Sequence, residues 1–120
     1  MEYIRAIVPS AGKGSRLQKV SGDIPKAMFR VGGKPMLDYV LDNISFVDSK
    51  NIYIVVGYGK EKIIDYLGDS YNYVEQKQQL GTGHAVMECA KEFECFDGSV
   101  LVSFVFITLF RHLEMKLMFQ

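Results

Sequence analysis

The alternation of short apolar runs with stretches of helical periodicity constrains this chain more than any other feature of its sequence. The predicted strands span residues 3–8, 52–56, 71–75 and 100–106, and the predicted helices span 35–44, 61–67 and 83–93. Such an alternation predicts a mostly parallel sheet with helices on both faces and right-handed connections. At 120 residues, 48% of them hydrophobic, the chain has the size of one Rossmann-like α/β domain over residues 1–120.

A glycine-rich loop with two cations follows the first predicted strand, over residues 9–17. Gly12 and Gly14 lack a Cβ atom, so the backbone there can approach a ligand and turn successive N–H groups toward an anion. Lys13 adds a point charge, and Arg16 adds a planar guanidinium that can hold two phosphate oxygens. In parallel sheets, ligands bind beyond the carboxyl ends of the strands, where the strand order reverses. The loop is therefore interpreted as a phosphate site, with a tight turn carrying solvated charges as the alternative.

Two commoner phosphate-binding motifs are absent from the sequence. The dinucleotide fingerprint G-x-G-x-x-G would need a glycine at position 17, where the chain has Leu17, and the 57–60 segment does not complete it either. The P-loop G-x-x-x-x-G-K-[ST] occurs nowhere in the 120 residues. This negative result favours a phosphate-binding loop of another family.

Three further segments accompany the loop sequence Ala-Gly-Lys-Gly-Ser-Arg-Leu at 11–17. They are Ile-Pro-Lys at 24–26, Val-Gly-Gly-Lys-Pro-Met-Leu at 31–37, and Gln-Lys-Gln-Gln-Leu-Gly-Thr-Gly-His-Ala-Val at 76–86. Together, these segments resemble those of the sugar-phosphate nucleotidyltransferases, and are most similar to the N-acetylglucosamine-1-phosphate uridylyltransferase domain. The resemblance covers roughly residues 4–103, which correspond to the N-terminal half of that domain.

The resemblance implies a reaction of nucleotide-sugar biosynthesis. A sugar 1-phosphate oxygen attacks the α-phosphate of a nucleoside triphosphate, and pyrophosphate leaves. By this resemblance, Arg16 would hold the departing pyrophosphate, and Lys26 would reach the α-phosphate and the sugar phosphate. Both side chains could instead be solvated surface charges. The residues implied to bind the nucleotide are Ser10, Ala11, Gly12, Lys13, Gly14, Gln76, Gly81 and Thr82.

The 80–85 segment favours UTP, although relatives that use CTP or GTP share the first loop. The Gln76 amide offers both a donor and an acceptor, so it could complement a uracil edge through two hydrogen bonds. A polar loop without a ligand is the alternative for this glutamine. His84 begins the next predicted helix, where we expect it to cap or pack rather than to act as an acid or base.

The sequence departs from the family pattern after Ser103. The family binds Mg²⁺ through the aspartate of a Gly-Asp pair, whose places are taken here by Val105 and Phe106. A phenylalanine cannot ligate magnesium, which requires oxygen ligands. Residues 104–120 are therefore read as frameshifted sequence, as the end of a fragment, or as part of a degenerate relative, and the first two are favoured. As written, the chain is expected to bind a nucleotide without completing the reaction, and a non-catalytic nucleotide-binding module is the competing hypothesis.

Composition excludes several other classes of protein. The 14 basic and 14 acidic residues cancel, which argues against a nucleic-acid partner. The longest apolar stretch, at 100–110, is shorter than the ~18 residues that span a bilayer, and the N-terminus lacks a signal pattern, so a cytoplasmic location is expected. Cys89 and Cys95 show no metal-site spacing and are expected to be buried and reduced rather than bridged. The 100–110 stretch would form an aggregation-prone edge, and we expect homo-oligomerisation or further chain to cover it.

Overall fold

A four-stranded parallel sheet forms the centre of the fold. The computed structural model describes residues 3–12 and 24–105. The strands are β1 (Ile4–Pro9), β2 (Arg30–Val31), β3 (Lys34–Pro35), β4 (Ile52–Val56), β5 (Asn72–Glu75) and β6 (Ser99–Val102). The sheet has the order β5-β4-β1-β6 with all neighbours parallel, and β2 and β3 form a separate antiparallel hairpin. The predicted α/β class is confirmed.

The central strands are buried on both faces, as their continuous apolar runs predict. In β1, Ala6 and Val8 pack into one hydrophobic cluster, and the intervening Ile7 packs into a second cluster on the opposite face. The same alternation separates Ile54 from Val55 in β4. Because successive strand residues point to opposite faces, each face needs its own cover of helices.

Helices cover the two faces of the sheet. They are α1 (Met36–Asn43), α2 (Lys60–Leu67), α3 (Thr82–Met87) and α4 (Ala90–Phe93), with 3₁₀ turns at Lys26–Met28 and Ser49–Asn51. Leu37 of α1 and Ile63 of α2 are fully buried in the first cluster, whereas Ala85 of α3 is buried in the second. No helix in the described ranges is long and apolar enough to cross a membrane.

Two predicted elements differ from the structure by more than one residue at an end or in continuity, and the other predicted bounds agree to within one residue. The helix predicted over 83–93 is divided into α3 and α4, because the Cys89 N–H bonds to the Val86 carbonyl three residues back and tightens the chain there. The strand predicted over 100–106 ends at Val102, and the last bond of the ladder runs from the Ser103 N–H to the Ile7 oxygen at 3.0 Å. The next donor toward β6 would be residue 9, and Pro9 has no N–H.

The strand order reverses beside β1. The chain passes from β1 to β4 and β5 on one side and then returns to β6 on the other. The carboxyl ends of β1 and β6 therefore adjoin at a topological switch point, which is where α/β sheets bind their ligands. The segment that leaves β1 at Ser10 begins at this edge.

Candidate functional site

A pocket of about 350 Å³ lies at the carboxyl edge of the sheet. It is lined by Pro9, Ser10, Ala11, Gly12, Lys26, Ala27, Gln76, Gln79, Gly81, Thr82, Ala85, Phe104 and Val105. Every predicted site residue that the structure describes is in this lining. The other predicted residues, Lys13, Gly14 and Arg16, lie outside the described residues, as does Phe106.

The backbone that leaves β1 forms one wall of the pocket. The Ser10 N–H donates to the Val55 carbonyl oxygen at 2.8 Å, which extends the pairing of β1 with β4 by one residue. Ser10 and Ala11 are buried, whereas Gly12 is exposed, and a Cβ atom built on Gly12 would meet no described atom within 4 Å. The open side of Gly12 leaves its backbone accessible to a ligand.

Two glycines that sequence reasoning did not assign to the site pack tightly beneath it. A Cβ atom on Gly57 would lie 3.0 Å from each of three atoms, namely the Ala11 Cβ, the Gln76 carbonyl oxygen and the Gln79 Nε2. Gly59 has a φ of +66° and would place a Cβ atom 2.8 Å from the Pro25 ring, next to Lys26. Their position directly after the buried strand β4 was the signal available in the sequence.

Gln76 is 3% exposed, and hydrogen-bonding contacts hold both its backbone and its side-chain nitrogen. Its backbone N–H donates to the Val56 oxygen at 2.7 Å, and its side-chain Nε2 donates to the Gly81 oxygen at 3.2 Å. The same Nε2 lies 2.9 Å from the Nδ1 atom of His84. Both amide hydrogens are therefore used within the chain, which differs from the two-bond contact with a uracil edge expected from the sequence.

His84 was expected to cap or pack at the start of its helix, and it does not cap α3. No side-chain capping bond is present at the start of α3, whose N-cap is Gly81. The His84 ring instead bridges two side chains, since Nδ1 meets Gln76 and Nε2 lies 2.9 Å from the Oε1 atom of Glu88. Sequence spacing could not reveal the first contact, because it depends on the path of residues 77–81.

Lys26 is the single ionisable side chain among the described lining residues. A cation in an otherwise neutral, partly apolar pocket favours an anionic ligand. Just outside the lining, Lys60 donates to the Glu75 carboxylate at 3.0 Å, and this hydrogen bond raises the pKa of Lys60. The Lys60 charge is therefore paired with Glu75 beside the pocket.

The described residues do not fit a magnesium ion held by the protein. No group of three or more His, Cys, Asp or Glu side chains in residues 3–12 and 24–105 could hold a metal. The described pocket lining offers amide, hydroxyl and carbonyl oxygens but no carboxylate, the ligand through which proteins usually hold Mg²⁺.

Comparison with protein families and curated proteins identifies relatives over most of the chain. A family model described as nucleotidyl transferase matches residues 5–108. The bifunctional protein GlmU of Symbiobacterium thermophilum is 41% identical over 105 residues, which make up 87% of this chain and 22% of that protein. The bifunctional protein GlmU of Methanococcus maripaludis strain S2 is 47% identical over 90 residues, 73% of this chain and 21% of that protein. The chain thus spans about a fifth of the length of these curated relatives.

Solved structures share the fold. The UDP-glucose pyrophosphorylase from Acinetobacter baumanii superposes with a TM-score of 0.69 and 26% identity, covering 82% of this chain and 44% of that one. The inositol-1-phosphate CTP transferase from T. maritima superposes with a TM-score of 0.62 and 28% identity, covering 88% of this chain and 44% of that one. HddC from Yersinia pseudotuberculosis, complexed with GMP-PN, superposes with a TM-score of 0.63 and 30% identity, covering 83% of this chain and 47% of that one.

Proposed function

Because the chain belongs to the nucleotidyl transferase family, we propose that it forms the nucleotide-binding part of a sugar-1-phosphate uridylyltransferase. The enzyme would transfer UMP from UTP to a sugar 1-phosphate and release pyrophosphate. The observation that supports this proposal is the convergence of Ser10, Gly12, Lys26 and Gln76 on one pocket at the switch point of the sheet. These residues come from segments that are far apart in the sequence and that the resemblance assigns to one nucleotide.

The proposed reaction requires no covalent bond between the protein and the substrates. An oxygen of the sugar 1-phosphate forms a bond to the α-phosphorus, and the bond from that phosphorus to the oxygen bridging to the β-phosphate breaks. Catalysis then depends on positioning and on neutralising the charge that moves onto the phosphate oxygens. Lys26 would serve the α-phosphate and the sugar phosphate, and Arg16 would serve the pyrophosphate. The backbone of residues 10–14, together with the Lys13 charge, would hold the rest of the nucleotide phosphates.

Base recognition would be the task of Gln76, Gly81 and Thr82, all three of which line the cavity. The structural relatives are named for uridine, cytidine and guanosine nucleotides, so the shared fold leaves the base open. The Leu-Gly-Thr-Gly-His-Ala sequence at 80–85 supports UTP. A competition assay with the four triphosphates tests this choice, and equal displacement by CTP or GTP would contradict it.

Turnover is proposed for the complete gene product rather than for the 120-residue chain. The described residues supply no carboxylate ligand for magnesium, so Mg²⁺ dependence is proposed from the family resemblance alone. Pyrophosphate release from UTP is the measurement, with N-acetylglucosamine 1-phosphate and Mg²⁺ added to the complete product. An absence of turnover with every common sugar phosphate would contradict the enzyme proposal.

A non-catalytic nucleotide-binding module is the second candidate. The observation that favours it is the carboxylate-free lining of the described pocket, together with phenylalanine at the position of the family's metal-binding aspartate. This candidate predicts UTP binding without chemistry under any condition. Reading the coding DNA through codon 103 separates the two: a Gly-Asp-x-Pro sequence in another frame supports the enzyme, whereas confirmation of the written residues followed by a stop codon supports the module.

Location and assembly are proposed on narrower grounds. A cytoplasmic location is proposed from the resemblance to the nucleotidyl transferase family. A covering surface for β6, supplied by a second copy or by further chain, is proposed because β6 is the edge strand of the sheet among the described residues and Val100 on it is 47% exposed. Measurement of the molar mass in solution tests whether a second copy supplies that cover.

A further inference from the structure

Gly81 and His84 both contact the same end of the Gln76 amide, and the Gly81 carbonyl shows which end that is. A backbone carbonyl oxygen can only accept a hydrogen bond, and it lies 3.2 Å from one end of the amide group. The amide nitrogen, Nε2, must therefore be the end that faces Gly81. The opposite orientation would place two oxygen acceptors against each other.

This orientation determines the proton position on His84. The same Nε2 lies 2.9 Å from Nδ1 of the ring, and an amide nitrogen donates but does not accept. Nδ1 must therefore be the unprotonated acceptor, and the ring proton resides on Nε2. There it donates to the Glu88 Oε1 atom at 2.9 Å, so each contact in the Gln76–His84–Glu88 chain has one donor and one acceptor.

The amide oxygen of Gln76 is left for the pocket. Neither recorded hydrogen bond of this side chain involves Oε1. In the described part of the chain, no buried side-chain oxygen or nitrogen lacks a partner, so an Oε1 atom without one is in contact with open space. Because Gln76 is 97% buried and lines the cavity, that open space is the pocket itself.

We propose that His84 is a positioning residue that presents Gln76 to the pocket as a hydrogen-bond acceptor and so selects a base with a ring N–H. This inference rests on the proposed nucleotide-binding function and deepens it. Uracil offers N3–H to such an acceptor, whereas the N3 atom of cytosine is itself an acceptor. A polar contact built for an N–H group rejects an analogue without it, because the buried oxygen is then left unpaired.

Affinity measurements on two histidine variants test the proposal. Isothermal titration of the full 120-residue chain gives the ratio of UTP to CTP affinity for wild type, His84→Asn and His84→Leu. The asparagine Oδ1 atom can take the place of Nδ1 as an acceptor, whereas leucine supplies similar bulk without one. We expect the ratio to be kept in His84→Asn and to fall roughly tenfold in His84→Leu, the value of about one hydrogen bond. A ratio unchanged in His84→Leu, or reduced equally in both variants, would overturn the proposal.

The tautomer of His84 supplies a second test that needs neither a nucleotide nor a variant. We expect ¹⁵N NMR of the wild-type chain to show a proton on Nε2 of His84 and none on Nδ1. A scalar coupling from the Gln76 side-chain amide to Nδ1 is also expected. A proton on Nδ1 would overturn the proposed positioning even if UTP binds. Failure of the wild type to bind any triphosphate would instead overturn the proposed function, and the two failures are therefore distinguishable.

Discussion

The backbone N–H of Lys26 donates to the carbonyl oxygen of Gly12 at 3.1 Å. This bond joins the two described segments on either side of residues 13–23 and brings Lys26 against the backbone that leaves β1. Since the contact is made by main-chain atoms, it does not depend on the lysine side chain. The charge in the pocket can therefore be removed without removing the bond that positions it.

Replacement of Lys26 by methionine should weaken triphosphate binding at least tenfold, because the pocket loses the one ionisable side chain in its described lining. The length and the aliphatic part of the side chain are retained. Isothermal titration with UTP is the measurement. Lys34→Met is the matched control, since Lys34 pairs with Asp42 on the hairpin side of α1 and is not in the lining. Equal weakening in both variants would show that general surface charge, rather than Lys26, attracts the nucleotide.

Replacement of Gly57 by alanine should destabilise the chain by about 1–3 kcal/mol, because the new Cβ atom overpacks the site. It would lie 3.0 Å from atoms of Ala11, Gln76 and Gln79, and two of those atoms are a backbone oxygen and a short side chain that cannot rotate away. UTP affinity should fall together with stability. Gly83→Ala is the control, because a Cβ atom there meets no described atom within 4 Å and α3 gains about 0.5–1 kcal/mol in helix propensity. Urea denaturation measures the free energy of unfolding of both variants. A change of the same sign in Gly57→Ala and Gly83→Ala would contradict the packing argument.

Alkaline pH should destabilise the fold through Cys89. Burial, with smaller contributions from Glu92 and Glu88, raises the pKa of the Cys89 thiol from 9.0 to about 11. The folded chain holds this proton more tightly than the unfolded chain, so the stabilisation is complete below pH 9 and is lost as the pH rises toward 11. The loss attributable to this group should be roughly 1–2 kcal/mol between about pH 8 and about pH 11.

Urea denaturation at several pH values measures this dependence against two cysteine variants. Cys89→Ala should show a shallower decline of the free energy of unfolding above pH 9, whatever its stability at neutral pH. Cys95→Ala should retain the decline of the wild type, since the Cys95 thiol is exposed in the folded chain and not buried as the sequence suggested. Identical slopes in all three proteins would contradict the role of Cys89.

Replacement of Arg5 by methionine should lower the free energy of unfolding by about 1–2 kcal/mol. The guanidinium carbon of Arg5 lies 4.4 Å from the centroid of the Phe96 ring and 5.5 Å from that of Phe93, and its Nη1 donates to the Glu92 carbonyl oxygen at 2.7 Å. These contacts attach β1 to the α4 region, so their loss should be measurable by urea denaturation. Arg30→Met removes one exposed hydrogen bond to Gly33 and should cost less. An equal cost for both would remove the basis for assigning special weight to the aromatic contacts.

The interior of the fold could be predicted from the sequence because its sequence signals are local. The run at 52–56 consists of four β-branched residues and Tyr53, and the structure gives β4 the predicted bounds Ile52–Val56. The end of β6 was predicted too late because it depends on a non-local fact, the absence of an N–H on Pro9 in the neighbouring strand. Burial patterns within one segment carry no information about the hydrogen-bonding capacity of its partner.

The site could be predicted from the sequence only in part, for a similar reason. Ser10, Lys26 and Gln76 were identified by resemblance, and the strand order brings them together. The contact of Gln76 with His84 escaped prediction because it is set by the turn between β5 and α3 and by which amide atom meets the Gly81 carbonyl. The role of Gly57 is hidden similarly, since its crowding comes from atoms on other segments.

The central position of β1 has a consequence for how the chain is made. Its neighbours are β4, from the middle of the sequence, and β6, whose pairing begins at Ser99 opposite Ile4. Among the described strands, the ribosome delivers β1 first and β6 last, so the edge of β1 that pairs with β6 has no native partner until Ser99 and the residues after it have been made. A nascent chain stalled before Ser99 would display an unpaired apolar strand edge, which is a template for pairing with other chains. The vulnerable stage in the life of this protein is therefore its synthesis.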